Sequence, residues 1–310
     1  MSALKFYLLG NVALQGALSR PIHFPTKKSK SLFAYLVVYK ERTFTRAALA
    51  GKFWPEIEDV RAQRSLNTEI WRLRTMLKSS GLEPDNFLFS DRDRVGFCRD
   101  SDHWVDVAEF HALTQSVTVR SVVPSHPHLL PSLRRAIVLY RGDFADGLFD
   151  EWCLVQREDY RVRLLAALET LLAAAMDEEH WDEGIAHGRR LLELDPLQEH
   201  VHRALMRCHF GLGNRPAALK QYGACERVLR DELQIEPMPE TRQLFEKLAA
   251  QTTAQEQPSD VRDPLDPILR SCCTPAQRID AALANLSTAR SLLEDASRQL
   301  LTAASDRRAR

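Results

Sequence analysis

Between residues 171 and 219 the chain repeats itself at a spacing of 34 residues: Leu171 corresponds to Leu205, Trp181 to Arg215, Gly184 to Ala218 and Ile185 to Leu219. That period is the tetratricopeptide one, in which a pair of helices cannot bury its apolar face alone and stacks on the next pair. Small residues at Gly184 and Ala218 let paired helices approach closely. Pro196 and Pro237 follow Asp195 and Glu236 and close each repeat, since proline cannot continue a helix. Two repeats fall short of the roughly three that bury a continuous core. The segments before Trp152 and after Pro239 are therefore expected to act as helical caps or as a degenerate third unit.

The N-terminal third reads differently. Leu4, Phe6 and Leu8 alternate with Lys5, Tyr7 and Leu9, and Ile22 and Phe24 flank His23, with Gly16 available for a turn, so short antiparallel strands open the chain. Three helical patterns follow, over Lys27 to Tyr39, Thr45 to Trp54 and Ala62 to Lys78. Thr45 is the cap of the second and Pro55 its stop. After Gly81, the stretch Phe87 to Phe97 alternates, turns through Asp91-Arg92-Asp93-Arg94 and returns, which predicts a hairpin with a basic tip. Sheet, three helices and hairpin make a winged helix. The fold class is thus multidomain: an α+β winged helix, an all-α tetratricopeptide-like repeat and a C-terminal amphipathic helix. The proposed boundaries are 1–115, a Pro-containing linker at 116–132, repeats at 133–250, a second linker at 251–273 and the last helix at 274–305.

A formal charge balance of zero, 42 basic against 42 acidic residues, conceals a segregation along the chain. Residues 20–80 hold 13 Lys or Arg against 5 Asp or Glu, whereas residues 141–250 hold 14 against 21. The first segment is an electrostatic footprint for a polyanion; the second would be repelled by it. On the third helix, at 100° per residue, Leu66, Ile70, Leu73 and Leu77 fall within about 60° and form the buried stripe. Arg64, Thr68, Trp71 and Thr75 lie opposite, Arg72 and Arg74 on the flanks, and Glu69 is the one acid of the face turned outward. Arginine and threonine on a helix that fits the major groove suit base edges and phosphates. The candidate DNA-binding set is Arg64, Asn67, Thr68, Trp71, Arg72, Arg74, Thr75 and Lys78 on the helix, with Arg92 and Arg94 on the wing. The alternatives are arginines paired with Glu69 or Glu58, and Trp71 packed against the wing or another subunit.

Two stretches in this front segment, FTRAALAGKFWPE and RAQRSLNTEIWRLRTML, make residues 1 to about 115 resemble the OmpR-type winged helix at the front of SARP-like bacterial transcriptional activators. The segments YRGDFADGLFDEW, LLELDPLQEHVHRALM and QYGACERVLRDELQIEPMPETRQLFEKL are similar to the bacterial transcriptional activator domain that follows it in that family. The resemblance implies promoter DNA and RNA polymerase as partners, with the loop carrying Glu56, Glu58 and Asp59 facing the transcription machinery. It also implies an all-α interaction and dimerisation module, and the activator sign. The structural alternative is a repeat scaffold or adaptor with a vestigial winged helix, in which the acidic repeats hold a protein partner and DNA is not bound.

No phosphate-cradling, dinucleotide, nucleophile-elbow or zinc-protease signature is present, so no enzyme, cofactor or metal site is expected. His126 and His128 read as linker, and the six cysteines, without a C-x-x-C, as reduced thiols. No apolar run approaches the roughly 18 residues of a membrane span, and the N-terminus is too short for a signal peptide, so no membrane partner is expected and the cytoplasm is the expected location. In residues 274–305, Ile279, Leu286, Leu293 and Leu300 alternate with alanines at heptad spacing. This stripe serves either as a homodimer seam or as a face folded back on the repeats near Leu244 and Leu248.

Overall fold

The computed structural model describes residues 4–16, 20–116 and 129–255, with side chains to residue 250. The residues expected to form the C-terminal amphipathic helix and its seam (Ile279, Leu286, Leu293, Leu300), like His126 and His128, lie outside that range.

The described chain is mostly helical, with a small N-terminal sheet region. Strands β1 (Leu4–Tyr7), β2 (Ala13–Gln15) and β3 (Pro21–Ile22) lead into α1 (Lys27–Val38); β4 (Phe44–Thr45), α2 (Arg46–Phe53) and α3 (Asp59–Ser79) follow. A 3-10 turn at Pro84–Asn86 then precedes the hairpin of β5 (Leu88–Ser90) and β6 (Arg94–Phe97). Strand β7 (His103–Val105) opens directly into α4 (Asp106–Thr114). Two sheets result, ordered β3-β2-β1-β7 and β4-β6-β5. β1 is antiparallel to β2, with Phe6 opposite Leu14, and parallel to β7, with Phe6 opposite Val105. Alternation puts Leu4 and Phe6 inward, where Phe6, Phe33 and Phe97 meet at centroid distances of 5.1 to 6.0 Å.

Local chemistry sets the helix ends. Thr26 caps α1 by accepting from the Ser29 amide, and Thr45 caps α2 through the Ala48 amide, as the sequence predicts for Thr45. Helix α2 stops at Phe53, just before Pro55, because the residue preceding a proline is driven out of the α region. Helix α3 starts three residues earlier than its apolar stripe, at Asp59, so Asp59 is a first-turn residue where the dipole favours an acid.

The second half is a stack of antiparallel helices: α5 (Leu129–Leu139), α6 (Glu151–Asp177), α7 (Trp181–Leu194), α8 (Glu199–Gly211), α9 (Arg215–Leu233) and α10 (Pro239–Gln255). The 34-residue period is visible in the helix bounds, since α6 and α8 end at Asp177 and Gly211 and α7 and α9 start at Trp181 and Arg215. Close approach needs the small residues. A Cβ on Gly184 would meet the Cys208 sulfur at 2.9 Å, and one on Gly211 the Trp181 ring at 2.5 Å. At one end α5 packs Leu133 against Ala167 and Leu171; at the other, Leu248 of α10 joins Met206 and Ala218, and Phe245 stacks on Tyr222 at 4.2 Å. Helix α5 begins inside the stretch read as a connector, because Pro131 in a first turn forfeits only an amide that has no helical partner.

The described residues up to Ala254 form one compact unit, and its apolar core continues from β1 and α1 through Phe110, Phe144, Trp152 and Tyr160 to Leu205 and Cys208. Asp106, fully buried, accepts from the Leu8, Leu9 and Val107 amides at 2.8 to 2.9 Å and so ties the end of β1 to α4. Its burial pushes the carboxyl up to about 6 despite those three bonds.

Candidate nucleic-acid interface

Helix α3 divides as its periodicity predicts. Ala62, Leu66, Ile70, Leu73, Met76 and Leu77 are buried, and Arg64, Asn67, Thr68, Trp71, Thr75 and Lys78 are exposed on the other side. Trp71 is 64% exposed and does not pack on the hairpin; it lines an open depression of about 310 Å³ with His23, Pro25 and Thr75. An indole left in water on a basic face is costly to keep and suited to a partner surface.

Glu69 departs from expectation. It lies about 70° from the centre of the apolar stripe rather than on the outer face, and it is buried, accepting from Thr26 Oγ1 at 2.7 Å, from Ser29 Oγ and from Arg72 at 2.5 Å. Burial alone would raise its carboxyl, but the bonds from Ser29, Thr26 and Arg72 hold it below the usual carboxylate range. The outer face therefore carries no acid from position 61 to position 78.

The flanking arginines are engaged. Arg72 is committed to Glu69, and Arg74 pairs with Asp85 beside the 3-10 turn. Among the described residues the guanidiniums of Arg64 and Arg92 make no hydrogen bond or ion pair. Thr68 donates its hydroxyl to the Arg64 carbonyl at 3.0 Å, one turn back, which leaves its methyl outward.

Sequence reasoning passed over Arg46. As the first residue of α2 it donates Nε to the Asp91 carbonyl at 3.0 Å, and its other nitrogens to Ser90 Oγ at 2.7 Å and Asn67 Oδ1 at 2.6 Å. One guanidinium thus braces the hairpin against the middle of α3, and Asn67 is part of that brace. The only available signal was a basic residue directly after a threonine cap. At the hairpin tip Asp91 accepts from the Asp93 and Arg94 amides, which hold its carboxyl below the ordinary value, so the turn carrying exposed Arg92 and Arg94 is fixed by its own acid. The Arg94 guanidinium lies 3.5 Å from Thr43 Oγ1. Glu56 and Glu58 are exposed in the loop between α2 and α3, with Asp59 at its helical end.

Front module and stacked helix pairs together define a class: a small α+β unit joined to a tetratricopeptide-like repeat. Residues 105–249 match the family model of the bacterial transcriptional activator domain. The chain is 25% identical over 221 residues to the regulatory protein AfsR of Streptomyces coelicolor, covering 71% of this chain and 22% of that protein. It is also 25% identical over 258 residues to the transcriptional regulatory protein MoaR1 of Mycobacterium bovis, covering 80% of each. The structure of Mycobacterium tuberculosis EmbR in complex with a low-affinity phosphopeptide aligns with a TM-score of 0.60 at 21% identity, over 95% of this chain and 72% of that one, and shares the fold. The chain therefore spans about a fifth of the length of AfsR. The resemblance to SARP-like bacterial transcriptional regulators, drawn from residues 1 to about 250, is borne out by these matches. Among the described residues no helix is long and apolar enough to cross a membrane.

Proposed function

We propose that the chain is a sequence-specific DNA-binding transcription regulator, in activator form, whose front module works as a winged helix. The observation that carries this reading is the acid-free outer face of α3, with Arg64, Thr68, Trp71, Thr75 and Lys78 exposed in a row and a hairpin bearing Arg92 and Arg94 braced beside it by Arg46. Arg64 and Thr68 read base edges in the major groove, Lys78 holds phosphate, and Arg92 and Arg94 follow the neighbouring groove. Arg72 and Arg74, already paired with Glu69 and Asp85, are weaker phosphate contacts than Lys78. Glu56, Glu58 and Asp59 face the transcription machinery. The relatives named as regulators support the same reading.

The helical repeats hold partners or the second subunit of a homodimer, and the heptads at 274–305 contribute to that dimer. Sedimentation of the full chain beside one ending at Gln251 tests this; equal masses would exclude those heptads as the contact. Mapping bound genomic DNA, followed by affinity measurements on the recovered fragments over a salt series, tests DNA reading. Affinity should fall steeply with salt, because each neutralised phosphate releases counterions. Salt-insensitive binding, or failure to retain any fragment, would leave the repeat-scaffold reading in its place.

A further inference from the structure

Asp150 stands at the N-cap of α6, where an aspartate ordinarily accepts from the first amides of its own helix. Here the side chain makes no such bond. Its carboxylate turns to α1 instead, accepting from Ser31 Oγ at 2.6 Å and pairing with Lys28 Nζ at 3.4 Å. Ser31 is buried, and Lys28 also donates to the Phe53 carbonyl at the end of α2 at 3.0 Å. The same stretch of α1 faces α3 with its other side chains, since Thr26 and Ser29 are the two hydroxyls that hold buried Glu69. Residues 26 and 29 thus grip a carboxylate of α3, while residues 28 and 31 grip a carboxylate of the repeat region. One turn further along α1, Tyr35 lies edge-on to Trp152 at 5.2 Å, and Gln156 of α6 donates to the Tyr39 hydroxyl at 3.3 Å.

We propose that Asp150 is a positioning residue for α3, acting through the first two turns of α1, so that the repeat region sets how firmly the exposed face of α3 is presented. Three short hydroxyl side chains and one lysine bonded to two carboxylates have few alternative arrangements, and a change at one end loosens the turn that holds the other. The consequence for DNA rests on the reading of α3 given above; the mechanical coupling does not. Because the Asp150 side chain makes no capping bond, its removal takes no hydrogen bond from the N-terminus of α6 and tests the contact to α1.

Amide hydrogen exchange on the full chain, without DNA, measures the coupling. Asp150→Ala should speed exchange about tenfold over residues 27–33 and 66–73, as expected when a charged hydrogen-bonded contact is lost and a local unit opens more often. Residues 199–233 should keep their wild-type rates. Ser31→Ala and the milder Asp150→Asn should give the same pattern at smaller amplitude, which keeps the test decisive if Asp150→Ala does not fold. The swap Lys28→Asp with Asp150→Lys should recover part of the protection. Acceleration confined to α6, or none at all, overturns the proposal. With short random-sequence DNA duplexes at low salt, Asp150→Ala should bind about fivefold more weakly, following the loss of a preformed surface. Looser α3 with unchanged affinity would overturn the positioning role. Wild-type protein that retains no duplex refutes the DNA reading and leaves exchange to decide the coupling.

Discussion

Arginine is used in opposite ways by the front module and by the repeat. In the repeat, Arg157 donates to the carbonyls of Phe144, Ala145 and Leu148, Arg190 to those of Ile137 and Tyr140, and Arg161 to that of Leu194. Those guanidiniums close turns and helix ends, so their donors are spent within the fold. On α3, Arg64 is exposed, and its guanidinium makes no hydrogen bond or ion pair among the described residues. The contrast teaches that a count of basic residues does not locate a polyanion site. What matters is whether the fold leaves a cation uncommitted and what surrounds it, and Arg64 stands on a helix face that carries no acid from position 61 to position 78.

Removing spent donors should have the largest effect. Arg157→Ala takes the side-chain donor from the Phe144 and Leu148 carbonyls of the turn before α6, while Ala145 keeps the Leu148 amide, and should cost about 3 kcal/mol, since hydrogen bonds from a charged group are worth roughly 1.5 to 3 kcal/mol and buried acceptors are left unpaired. Arg64→Ala should leave stability within about 0.5 kcal/mol, as for surface changes generally. Urea melts of the two variants decide this; equal losses would dissolve the distinction. In DNA affinity the order reverses, with Arg64→Ala costing about 1 to 3 kcal/mol and relaxing the preference at one base pair.

Helical glycines sharpen the same comparison at smaller scale. Gly211→Ala drives a methyl into the Trp181 ring and should destabilise by about 1 to 3 kcal/mol, the usual range for overpacking. Gly51, exposed within α2, has nothing within 4 Å of a new Cβ, and Gly51→Ala should stabilise by about 0.5 to 1 kcal/mol. Thermal unfolding of both gives shifts of opposite sign.

Acid should act on the two regions in different senses. Burial holds His187, His202 and His209 of the repeat below the ordinary imidazole value. The unfolded chain then takes up protons that the folded chain refuses, so this part of the stability is lost as pH falls below about 6.5. Asp106 is shifted the other way, up to about 6, so its folded carboxyl holds a proton more readily than the unfolded one. Its contribution therefore rises as pH falls from about 6 towards the ordinary carboxylate range. Segment-resolved exchange at pH 7 and pH 5 should show α7 and α8 loosening while the contact of β1 with α4 holds. Uniform loosening would contradict the assignment.

Much of this architecture was legible in the sequence where the signal is periodic or local. The stripe of Leu66, Ile70, Leu73 and Leu77, the Thr45 cap and the 34-residue spacing each depend on neighbours within one or two helices, and each reappears in the structure. What could not be read depends on distant partners. Glu69 looks like a surface acid until Thr26 and Ser29 are brought to it across 43 and 40 residues. The side-chain partners of Asp150 lie more than 110 residues earlier, where no local pattern points to them. The strand β7 is three residues long and declares itself only through its pairing with β1.

That pairing has a consequence for how the chain is made. Strand β1 leaves the ribosome well before β7 and keeps that edge open until residues 103–105 arrive, and the Leu8 and Leu9 amides wait for Asp106. Bridges from Leu9 to Phe144 and from Asn11 to Asp146 extend the delay further. Closing contacts of such long sequence separation slows folding and leaves a sticky apolar edge in the nascent chain. Fragments cut after the hairpin, at the apparent end of the front module, should therefore aggregate in size-exclusion runs at concentrations where the full chain does not.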